Sequence, residues 1–95
     1  MQTTTKPKFS LGQIVATPGA LDLLRESGEN PAVFLNRHVQ GDWGEVCQED
    51  RQLNDQALVD GSRLLSAYRT AKGERLWVIT EADRSSTCLL RPDEY

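Results

Sequence analysis

From Gly12 to Thr17 the chain reads GQIVAT, a short strand in which Ile14 and Val15 are β-branched. The pattern then turns helical at Thr17-Pro18. Thr is a good N-cap, Pro is pre-organised for the first helical position, and Ala20, Leu21 and Leu24 fall on one stripe before Gly28 offers a C-cap. The same grammar repeats at Asn30-Pro31, where Ala32, Leu35 and Val39 share a face and Gly41 stops the run. A third helix is predicted from Asp42 to Asp60, opened by an Asp42-x-x-Glu45 capping box and closed by Gly61. Beyond it the period changes to alternation over Arg63 to Arg69, Arg75 to Glu81 and Thr87 to Arg91. The connections between these strands are short, so they predict antiparallel hairpins.

Helices grouped before strands predict an α+β fold: one N-terminal strand, three helices, then a three-stranded antiparallel meander with the helices on one face of the sheet. The first ten residues, polar apart from Phe9 and the initial Met, predict a flexible tail (1–10) ahead of a single domain (11–95). Ninety-five residues leave room for one core.

Candidate chemistry is sparse. On the predicted third helix one face carries Trp43, Val46, Cys47, Asp50, Leu53, Asn54 and Ala57, so Asp50 and Asn54 stand where a core would be. Either they sit at the solvated edge of that stripe, or they belong to a buried polar network with an Arg of the sheet as counter-ion. His38 is the only histidine. It is a candidate general base if Asp42 or Asp50 orients it, and otherwise a residue satisfying a helix C-terminus. Trp43 lies between Gly41 and Gly44 as a candidate interface anchor. The segment TEADRSST, Thr80 to Thr87, puts Asp83 and Arg84 on a hairpin loop, where they serve either a site or the local turn.

The composition is 38% hydrophobic and 26% charged with a net charge of -3, which excludes a basic nucleic-acid coat. Charge is uneven, however. Residues 42–60 hold Asp42, Glu45, Glu49, Asp50, Asp55 and Asp60 against Arg51, whereas 61–77 hold Arg63, Arg69, Lys72 and Arg75 against Glu74. These segments either neutralise one another, are merely solvated, or face a partner, the hairpin a polyanion or the helix a basic surface. Nothing resembles a signal peptide or membrane span, and Cys47 and Cys88 predict free thiols in a reducing cytoplasm. No zinc spacing, phosphate loop or nucleophile elbow occurs, so no metal or cofactor is expected.

The segments LGQIVATPGALDLL (11–24), HVQGDWGEVCQED (38–50), GSRLLSAY (61–68) and LWVITEADRSSTCLLRPDEY (76–95) together resemble a group of short bacterial proteins carried on plasmids and integrated elements. The resemblance spans nearly the whole chain but brings no catalytic residues. What it implies is a bacterial cytoplasm, a mobile element, and by analogy an accessory role on host or element machinery such as a defence system.

Two functions follow as expectations. The first is a non-enzymatic protein that binds another protein through Trp43 and the Thr80–Thr87 loop, with Asp50, Asn54, Asp83 and Arg84 as further binding residues. The alternative is a small metal-independent ribonuclease of the toxin type. There Arg63, Arg69 and Arg75 would hold phosphate while His38, Asp83 and Arg84 did the chemistry, although the negative charge does not favour nucleic acid.

Overall fold

The computed structural model describes residues 7–95. Its element order is β1 (Gln13–Ala16), α1 (Pro18–Ser27), α2 (Pro31–Val39), α3 (Gln48–Asp60), β2 (Leu64–Arg69), β3 (Arg75–Thr80) and β4 (Ser86–Leu90), followed by a 3-10 turn at Pro92–Glu94.

The α+β class holds, but the sheet is corrected. It has four strands in the order β1-β4-β3-β2, and β1 adds parallel to β4. The antiparallel pairs β2–β3 and β3–β4 are thus part of a mixed sheet rather than a separate three-stranded meander. The parallel pairing is possible because α1 to β3 intervene between β1 and β4, a long crossover of the kind parallel strands require.

Local signals set α1 and α2. The Thr17 hydroxyl accepts from the Ala20 N–H, Asn30 accepts from the Ala32 N–H, and a proline opens each helix. Gly28 closes α1 at φ 71°, whereas α2 ends at Gln40 rather than at Gly41. The buried stripes are shifted from those expected. Helix α1 buries Leu23 with Ala20 and Leu24, leaving Leu21 exposed, and α2 buries Phe34, Leu35 and His38.

These faces meet Tyr68, Leu76, Val78 and Leu89, one alternating face of three strands, in the main core. A second cluster joins Trp43, Ala57 and Leu64, with Phe9 packed against it. Of the expected tail, residues 1–6 lie outside the described residues. Lys8 donates its N–H to the Val39 carbonyl, and Phe9 stacks on Trp43 with ring centroids 6.2 Å apart.

Helix α3 starts six residues later than Asp42. Residues 42–47 instead run along the edge of β2, where Glu45 N–H donates to Ala67 O and Ala67 N–H donates to Trp43 O. Gly44 sits at φ 75°, and a Cβ there would run into the Ala67 carbonyl and the Tyr68 ring. That left-handed glycine breaks any helix beginning at Asp42. The Asp42 carboxylate accepts from Gly44 N–H and pairs with Arg37 at 2.7 Å, so it shapes a turn rather than a capping box.

Candidate functional site

Ser66, Thr80 and Thr87 occupy core-facing positions on three adjacent strands, and all are buried. Helix α2 inserts His38 among them with no exposed surface. His38 Nε2 lies 2.9 Å from Thr80 Oγ1, which lies 2.7 Å from Thr87 Oγ1, which lies 2.7 Å from the Leu11 carbonyl oxygen; Nδ1 meets Ser66 Oγ.

The end of this chain fixes every proton in it. A carbonyl only accepts, so Thr87 donates to Leu11 O and must accept from Thr80. Thr80 has then spent its one hydrogen and accepts from His38 Nε2–H. The remaining nitrogen, Nδ1, accepts from Ser66. His38 is therefore a neutral Nε2–H imidazole held between two hydroxyls. Burial, reinforced by the positive charge of Arg84, pushes its pKa down from 6.5 to about 4. Phe9 meets the imidazole edge-on at 5.1 Å, and Trp43 meets it at 5.8 Å, completing the seal. No substrate proton can reach this ring while the fold is closed, and neither Asp42 nor Asp50 orients it.

Arg84 sits on the β3–β4 turn with φ 60°, the left-handed region, and its guanidinium is consumed by backbone carbonyls. One nitrogen donates to Ser62 O at 2.6 Å and to Glu81 O and Ala82 O at 3.2 Å; the other donates to Ala57 O at 3.0 Å. It joins the end of α3 to the β3–β4 turn. Asp83 is exposed and accepts from the Ser85 N–H at 3.0 Å. The Ser85 hydroxyl and N–H hold its carboxyl below the ordinary range.

Asp50 and Asn54 part company. Asn54 is 3% exposed and grips the Leu65 backbone from both sides, donating to its carbonyl at 2.7 Å and accepting from its N–H at 3.1 Å. A polar network is therefore built here, but its partner is backbone rather than an arginine of the sheet. Asp50 is half-buried and lines a cleft of about 240 Å³ together with Cys47, Leu65, Ala67, Arg75 and Trp77. Glu45 lines it too, so the cleft carries two acids and Arg75, with Glu45 already paired to Arg69.

Trp43 is 3% exposed and donates its indole N–H to Asp55 at 3.0 Å. The expectation of an exposed anchor there is overturned, because the glycines on either side admit the chain into the second cluster instead of displaying the ring. Of the arginines expected to hold phosphate, Arg69 is paired with Glu45 at 2.8 Å and Arg63 lies over the Tyr95 ring. Arg75 is exposed at the cleft. Cys47 and Cys88 are free thiols. Among the described residues no group of three His, Cys, Asp or Glu side chains is placed to hold a metal, and no helix is long and apolar enough to cross a membrane.

The accessible chemistry lies on α3. This helix buries only Asn54 and Ala57, leaving Leu53 63% and Val59 88% exposed. Glu49, Leu53, Gln56 and Asp60 follow the i, i+4, i+7, i+11 stripe of a single outward face, flanked by Gln52 and Val59. Arg51, the one base of the helix, lies away from that face beside Asp42 and Asp55. Of the six acids in 42–60, only Glu45 forms an ion pair with the 61–77 hairpin among the described residues, so the two segments do not neutralise one another.

Sequence reasoning passed over the Ser66–Thr80–Thr87 set and the outward face of α3. The first was visible as hydroxyls standing where strand alternation calls for apolar side chains; the second was hidden because Leu53 was assigned to the core stripe. No family model, curated protein or solved structure matches this chain.

Proposed function

We propose that the chain is a non-enzymatic protein-binding module whose α3 face receives a basic protein surface. The observation carrying this reading is the exposure of Leu53 and Val59 on an acidic helix that gives the core only Ala57 and part of Leu58. Packing each such side chain under a partner is worth about 1.5 to 3 kcal/mol, while Glu49 and Asp60 favour Lys or Arg across from them. The acid–base candidates support the same reading from the other side, since His38 is sealed and Arg84 is spent on carbonyls. The resemblance to plasmid-borne bacterial proteins would make the partner a component of host or mobile-element machinery.

A photocrosslinking residue at Leu53, introduced in bacterial cells, should capture a protein through a Lys- or Arg-rich segment. The same residue at Val33, equally a surface position at 51% exposed, should not. In lysate the adduct yield should fall when salt is raised before irradiation, and in cells it should fall in Glu49→Lys/Asp60→Lys. Equal capture from Val33, or capture at Leu53 indifferent to charge reversal, would count against the proposal.

A further inference from the structure

The two edges of the sheet are treated differently. The edge of β2 is closed by the Gly44–Ala67 bridge and by the Asn54 clamp on Leu65. The edge of β1 is not. Gln13 N–H donates to Ser85 O and Thr17 N–H to Leu89 O, so alternate residues turn inward to β4. Ile14 and Ala16 point their N–H and C=O groups the other way, and among the described residues nothing pairs with them. Ile14 and Val15 are 49% and 41% exposed on a strand lacking the lysine, proline or bulge that usually blunts an edge.

We infer that β1 is a homodimer interface at which a second copy of the chain pairs antiparallel, β1 against β1, to continue the sheet across a two-fold axis. The outward groups are self-complementary in one register. With Val15 facing Val15 of the other copy, Ile14 of each chain exchanges both hydrogen bonds with Ala16 of the other, giving four in all. The strand sets no like charges against its own copy. Residues 11–21 contain no Lys, Arg, Asp or Glu, so two β1 strands meet with no like charges opposite one another and a charged segment gains no counter-ion from them. Val15 shares the sheet face of Cys88 and Ile79, and it would meet its own copy at the close, non-hydrogen-bonded spacing of about 4.5 Å between Cα atoms.

That spacing permits a disulfide, so Val15→Cys in a Cys47→Ser/Cys88→Ala background should oxidise to a dimer of twice the monomer mass. Ile14→Cys and Val33→Cys in the same background should stay monomeric. In the otherwise unaltered chain, Ala16→Pro removes an outward N–H and should abolish association in sedimentation equilibrium while leaving the monomer folded, with a melting midpoint that no longer rises with concentration. Val15→Lys, which sets two charges on the axis, should do the same. Equal dimer yield at all three cysteine positions would mean random collision and overturn the inference. So would a monomeric Val15→Cys, including the case in which Ile14 and Ala16 amides prove protected from exchange because some other segment covers them.

Discussion

His38 donates from Nε2 to Thr80 Oγ1 across 2.9 Å, and that single direction is dictated by the Leu11 carbonyl at the far end of the hydroxyl relay. Nitrogen-detected NMR should find the Nε2–H tautomer and a pKa near 4. Unfolded, the imidazole titrates near 6.5, so between pH 6.5 and 4 the unfolded chain binds the proton first and stability rises with pH. The contribution is complete above 6.5 and is lost as pH falls toward 4, with a total on the order of 3 kcal/mol. The difference in unfolding free energy between wild type and His38→Gln across this window is the measurement.

Asn54 acts as a surrogate strand for Leu65, so its removal orphans a part-buried N–H and a part-buried carbonyl together. Asn54→Ala should lower stability by roughly 2 to 4 kcal/mol in urea unfolding. Asp50→Ala, four residues away and half-buried at the cleft, should change little.

Arg84 combines a backbone cost with a side-chain gain, and the two can be separated. Arg84→Ala should destabilise by about 1.5 to 3 kcal/mol through loss of its carbonyl contacts. Arg84→Gly loses the same contacts but is at ease at φ 60°, and should be the milder change by about 1 kcal/mol.

Gly44 is required by contact as well as by conformation. Gly44→Ala should open the loop 42–47 and expose the β2 edge, read as faster amide exchange at Ala67, whose N–H is held by Trp43 O.

The contrast between α1 and α3 explains how much of this was readable in advance. Thr17-Pro18 and Asn30-Pro31 act within three residues of themselves, so α1 and α2 were legible from the chain. The start of α3 is decided by Ala67, whose carbonyl and N–H draw residues 43–45 into strand-like pairing, a demand that no local pattern near Asp42 expresses. The parallel docking of β1 on β4 was equally illegible, since Val15 and Cys88 are register partners with almost the whole domain between them in the chain. His38 was recognised as exceptional but not as sealed, because its partners are 28 and 42 positions away. Asn54 was recognised as out of place, and its answer was a backbone that helical periodicity cannot show. The outward face of α3 stayed hidden because a core stripe wide enough to hold Asp50, Asn54 and Ala57 also takes in Leu53 at its margin.

The central claim is that the chemistry-bearing residues hold the fold while the acidic face of α3 does the binding. It is tested most directly by the affinity of the partner captured at Leu53 for two variants. Glu49→Lys/Asp60→Lys should bind at least about tenfold more weakly, a loss of some 1.4 kcal/mol, while staying folded despite losing the Asp60 bonds to Ser62, and Asp83→Asn on the β3–β4 turn should bind as wild type. Unchanged affinity in the charge-reversed protein, with binding lost in Asp83→Asn, would contradict the account.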